Sequence, residues 1–210
     1  MSARRVFPSI VLLASIVLLT TVAAPAIAVD YFNGVKFTIQ NPGDPSQRRI
    51  VASGGRRLGN PSIFGNPDAD GGSATLTVRL DGGDSATEAF VLPQGTSASG
   101  RPFWKFVAVG GAGGWVYRDP HGEQGPVSLL VMKVTVNHIG TTHSFFKAII
   151  SGKYAPLSLV PPNPGTAAWV TVQVSQGPLY CAGYGDATIT NVGDRRFSVR
   201  NPQDFGCPPL

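Results

Sequence analysis

Three groups of side chains have residue types and spacings that could do chemistry. His138 and His143 flank Gly140-Thr141. If those two residues form a tight turn, Ile139 faces Thr142 and His138 faces His143. The two imidazoles then lie on neighbouring strands with Cβ atoms about 5 Å apart, close enough to share a metal ion. No third ligand is identifiable, and two solvent-facing imidazoles at a hairpin tip are the simpler reading. Asn66-x-Asp68-x-Asp70-Gly71 repeats the first half of a calcium loop, with alternating oxygen ligands and a glycine at the sharp turn. Thr77 stands where an EF-hand requires a bidentate Glu and no helices flank the loop, which leaves a looser calcium site or a plain Asx turn. Calcium is thus the one cofactor candidate. Asp119-Pro120-His121-Gly122-Glu123 puts two carboxylates and an imidazole in one loop, as general acid–base pairs do, but also as ordinary polar turns do. There is no Gly-x-Ser-x-Gly elbow and no His-Glu-x-x-His, so no catalytic residue set is assembled and a non-enzymatic role leads.

Aromatic residues offer another route to function. In the segment Ala167 to Val174, Ala168, Val170, Val172 and Val174 alternate with Trp169, Thr171 and Gln173. Trp169 therefore lies on the polar face of a strand, where an indole can stack on a sugar ring or meet a partner. It is the candidate ligand-binding residue. Trp104 with Phe106, and Trp115 with Tyr117, share strand faces that read as core.

Strands must position all of these groups, because apolar residues recur at period two and hardly anywhere at helical period. Val35, Phe37 and Ile39 share one face; Ala74, Leu76, Val78 and Leu80 share another. Asp81-Gly82-Gly83-Asp84 turns the latter into a strand from Ala86 to Leu92. Phe103 to Val109 and Trp115 to Arg118 flank a glycine-rich turn. Val127 to Ile139 pairs with Thr142 to Lys153, and shorter strands follow at Leu179 to Ala182, Ala187 to Thr190 and Arg196 to Arg200. The predicted fold is all-β, an antiparallel β-sandwich or a distorted barrel of about eleven to twelve strands. Phe37-Thr38-Ile39-Gln40-Asn41-Pro42 is echoed by Phe197-Ser198-Val199-Arg200-Asn201-Pro202, which reads as a duplication, as adjacent terminal strands, or as coincidence.

Residues 1–28 read as a cleaved export signal. Arg4 and Arg5 supply the positive start, Ile10 to Leu19 the apolar stretch, and Ala26-Ile27-Ala28 the small-x-small cleavage pattern. Thr20, Thr21 and Pro25 argue against a permanent anchor, so membrane contact is expected only through this segment before cleavage. Cleavage leaves residues 29–210 as a single β-sandwich-like domain, with a subdivision near 120–127 as the alternative. The whole chain carries a net charge of +5, and the signal holds two arginines and no acids, so +3 remains. Its cations look scattered (Arg48-Arg49, Arg56-Arg57 and Arg195-Arg196 are isolated pairs), and nucleic acid is not an expected partner. With 26 Gly, 18 Pro and 14% charged residues the composition excludes a helical bundle and a charged disordered tail. The two cysteines, Cys181 and Cys207, form a disulfide if the chain enters an oxidising compartment.

The stretch from Asn41 to Val51, with Gly72-Ser73-Ala74-Thr75-Leu76-Thr77-Val78 and the tail from Leu179-Tyr180-Cys181-Ala182 through Phe197 to Cys207-Pro208, resembles an exported bacterial β-module family with no assigned activity. The resemblance covers most of the chain after residue 28 and implies a secreted, disulfide-tied β domain without catalytic residues. The expected protein is a non-catalytic structural or interaction module, secreted or periplasmic, whose partner is a protein or a polysaccharide. A carbohydrate-binding module is the alternative, then a secreted hydrolase.

Overall fold

The computed structural model describes residues 29–58, 65–69, 71–109, 112–136, 142–175, 177–202 and 206–207. The proposed export signal lies outside them. Among the described residues twelve strands account for the architecture: β1 (Val29–Gln40), β2 (Arg49–Leu58), β3 (Ser73–Gly82), β4 (Ala86–Pro93), β5 (Trp104–Val109), β6 (Ala112–Arg118), β7 (Val127–Val136), β8 (Thr142–Ser151), β9 (Gly165–Val174), β10 (Leu179–Tyr184), β11 (Thr188–Val192) and β12 (Arg196–Arg200). The all-β class and the strand number agree with the sequence reading. All the strands belong to one sheet, in the order β4-β3-β9-β10-β1-β2-β8-β7-β6-β5, with β12 beside β1 and β11 beside β12. The pairing is mixed, since β1 runs parallel to β10 while every other pair is antiparallel. The loop near 120–127 joins β6 to β7, whose strands pair directly.

A right-handed twist accumulates across so many strands and curls the sheet into a half-barrel. Its two ends, β4 and β5, are consecutive in the chain, and the Trp104 indole N–H on β5 donates to Leu92 O on β4 at 3.4 Å. Inside the curl, period-two alternation delivers one continuous core from both halves, including Leu76, Val78, Leu130, Met132, Phe146 and Ile150. Leu157 and Leu159 are also buried in it, on a segment held by bonds from the Ser158 and Leu159 N–H groups to the Glu88 carboxylate.

Strand β1 joins the halves. Residues 29–33 pair with β10, whereas residues 36–40 pair with β12 on the same side. The switch occurs at Gly34, within a register irregularity of the β1–β2 ladder. A Cβ there would collide with Gly183 O and lie 2.6 Å from Tyr184 Cδ1, so no other residue fits without displacing β10. The echoed segments are adjacent strands: Thr38 stands opposite Ser198, with Phe37 opposite Val199 and Ile39 opposite Phe197. The pairing is locally two-fold, since Asn41 N–H donates to Arg195 O at 2.8 Å and Asn201 N–H donates to Val35 O at 3.1 Å. The Thr38 and Ser198 hydroxyls share a 2.9 Å bond at its centre.

Gly34→Ala is expected to destabilise the protein by about 1–3 kcal/mol, the usual cost of overpacking. Thermal or urea unfolding measures it, and a neutral substitution would show that β1 does not need its close approach to β10.

Candidate functional site

Trp169 has the outward orientation predicted for it, but it does not form an exposed platform. Only 6% of it is accessible. The C-terminal segment crosses over it: the indole N–H donates to Gly206 O at 3.0 Å, and Cys207 is bonded to Cys181 on the neighbouring strand. The Arg79 guanidinium lies 5.2 Å from the ring centroid and is itself paired with Asp81 at 3.3 Å. Ala167, Trp169 and Cys181 thus make a small second core under the tail, and the expected ligand contact is corrected to a packing contact. Sequence alternation reveals the face of a strand but not a distant tail that covers it.

The histidine pair is corrected by register. His143 stands opposite Thr135 and Thr142 opposite Val136, which is not the register that would set His143 opposite His138. His138 lies outside the described residues. In the calcium candidate, Asn66 Oδ1 accepts the Asp68 N–H at 2.9 Å, which is an Asx turn, while Asp70 lies outside the described residues. Among the described residues no group of three or more His, Cys, Asp or Glu side chains gathers to hold a metal.

The Asp119 loop is likewise built for its own geometry. Asp119 is buried, and its two oxygens accept the N–H groups of Glu123 at 2.9 Å and Gln124 at 2.7 Å. Glu123 in turn accepts the Ala98 N–H at 2.6 Å. Both carboxylates are therefore committed to backbone amides, and His121 is exposed beside them. Trp104, Trp115 and Tyr117 are buried as the core reading requires, whereas Phe106 is half exposed against Trp115.

Sequence reading missed the outward face of β5, β6, β7, β8, β2, β1 and β12. The ladder registers place Lys105, Val116, Val131, Lys147, Ser53, Lys36 and Arg200 in one row across these strands. Arg118, Leu129, Ile149, Val51, Thr38 and Ser198 form the adjacent row. Lys133, Arg49 and Arg196 flank the two rows, again on the outward side. The face so presents eight cations around a half-buried apolar strip of Leu129, Val131, Ile149 and Val51. It carries no carboxylate: Asp30, at the far end of β1 beyond the partner switch, is the only acidic residue in any of these strands. Arg196 Nε is buried and has no hydrogen-bond partner among the described residues.

These cations stand singly or in short pairs along the sequence, and only the pairing order collects them. The signal available beforehand was the near-absence of Asp and Glu from seven strand segments. Among the described residues no helix is long and apolar enough to cross a membrane. The disulfide indicates a non-reducing environment outside the cytoplasm. Comparison of the chain with protein families, curated proteins and solved structures finds no match.

Opening the disulfide should release the tail. Cys207→Ser is expected to cost about 3–4 kcal/mol on the chain-entropy scale and to make Trp169 fluorescence red-shifted and quenchable by iodide. Trp104 and Trp115 are buried elsewhere and serve as the silent background. Unchanged emission and stability would mean that the tail is held without its cross-link.

Proposed function

We propose that this protein is an exported, non-catalytic recognition module of the bacterial envelope or its exterior, and that its ligand is an acidic polysaccharide. The observation that supports this is the basic, carboxylate-free outer face. Lys105, Lys147, Lys36 and Arg200 lie in one row, separated by three, two and one strand spacings, or about 14, 10 and 5 Å along the sheet. A linear array of charge beside an apolar strip matches a chain that carries acidic groups at intervals and exposes C–H ring faces between them. The face is the convex side of a curled sheet, which favours a flexible polymer draped over it above a planar bilayer. Export of the chain, through residues 1–28, places it with such polymers and away from nucleic acid.

Affinity electrophoresis through gels containing polygalacturonate tests this reading at low ionic strength. The wild-type protein is expected to be retarded, and added salt to abolish the effect. The triple variant Lys36→Gln, Lys147→Gln, Arg200→Gln is expected to weaken binding at least about tenfold, equivalent to some 1.4 kcal/mol. Arg79→Gln, on the other half of the sheet, should leave it unchanged. Equal retardation of the triple variant, equal binding to neutral dextran, or tighter binding to duplex DNA would contradict the proposal.

A further inference from the structure

At the β5–β6 end of the basic face the sheet is walled in. The loop joining β4 to β5 folds back on itself, with Ser97 N–H donating to Arg101 O at 2.8 Å and Phe103 N–H to Gly95 O at 2.9 Å. That geometry stands Arg101 at the rim. The opposite wall is the turn holding Pro120 and His121, buttressed by the Tyr154 hydroxyl, which donates to Pro120 O at 2.6 Å. The bond from Ala98 N–H to Glu123 fastens one wall to the other. Between them lies a cleft of about 880 Å³, floored by Val116 and Leu129 and bordered by Arg101, Lys105 and Arg118.

Charge and shape in this cleft select an occupant. Lys105 stands opposite Val116, two residues from Arg118, so the two cations are diagonal neighbours about 7–8 Å apart at their backbones. Arg101, Lys105 and Arg118 form no ion pair with any described residue. The acids of the walls, Asp119 and Glu123, accept backbone N–H groups and make no ion pair with these cations. Val116 is 8% exposed although it points outward, which makes the floor an apolar surface already screened from water. The volume lies within the range of small-molecule sites, and fastened walls keep the ordering cost of binding low.

We propose that this cleft is an anchoring subsite for one acidic sugar unit, a pyranose bearing a carboxylate or a phosphate. The ring's C–H face rests on Val116 and Leu129, and the anionic group takes the paired N–H donors of Arg101 or Arg118, whose planar guanidinium groups match either oxyanion. The subsite rests on the polyanion reading of the whole face and shares Lys105, Arg118 and Leu129 with it. Its test, however, substitutes Arg101 and Arg118 where that of the face substitutes Lys36, Lys147 and Arg200, so the two are separable.

Calorimetry with digalacturonate, glucose 6-phosphate and neutral maltose tests the subsite. An acidic sugar is expected to bind and maltose not to; digalacturonate alone identifies the carboxylate source, glucose 6-phosphate alone the phosphate source. The double variant Arg101→Gln, Arg118→Gln is expected to lose at least tenfold in affinity for the small acid while keeping most of the polygalacturonate retardation. Leu129→Trp, which fills the floor without removing charge, should abolish small-ligand binding as well, and near-UV circular dichroism verifies that each variant is folded. If neither acid binds while the polymer still does, the subsite is overturned and the face survives; if neither acid nor polymer binds, both fall. Binding of maltose as tight as that of the acids, or full affinity in both variants, also overturns it.

Discussion

The whole sheet is hung on the change of partner in β1. One strand of 12 residues takes β10 as its parallel neighbour over its first half and β12 as its antiparallel neighbour over the second, with β2 along the other side. Gly34 permits that switch because a side chain there would strike β10. Without it, the β4-β3-β9-β10 half and the β2-β8-β7-β6-β5 half would have no common strand. Their apolar faces would then have no single core to share.

The same pairing has an electrostatic consequence. Once Thr38 is opposite Ser198, Lys36 must stand opposite Arg200. Like charges directly across a ladder are unfavourable, and this face has no acid to compensate them. Hydrophobic packing of Phe37, Ile39, Phe197 and Val199 on the inner side fixes the register regardless, because a slip of one residue would turn those side chains out to water. Core packing therefore imposes an accumulation of positive charge on the outside, which salt ions screen and the proposed polyanion would neutralise.

Much of this was legible in the chain itself. Alternation fixed which residues of β3, β7 and β9 face inward, and it revealed the hairpins around Asp81-Gly82 and between β5 and β6. Strand β2 was less visible, since Ser53, Gly54 and Gly55 interrupt its apolar pattern. The echo around Phe37 and Phe197 held the order of the terminal strands, though nothing local distinguished adjacency from duplication. Burial of Trp169 was beyond reach because it depends on a tail 37 residues away. The outward row was equally hidden, since Lys36, Lys105, Lys147 and Arg200 come together only through pairings distant in the chain. Candidate sites read from local spacing became structural turns, as Asn66 and Asp119 show by spending their side-chain oxygens on nearby backbone amides.

The proposed interaction surface and the fold thus have one origin, the period of two that sends the fully buried apolar residues to one side and these lysines and arginines to the other. Methyl-labelled NMR during titration with a polygalacturonate oligomer examines this most directly. The account predicts shifts at the outward methyls of Val51, Leu129, Val131 and Ile149 and none at Val91, which is exposed on the other half of the sheet. Shifts confined to Val91, or spread evenly over both halves, would contradict it.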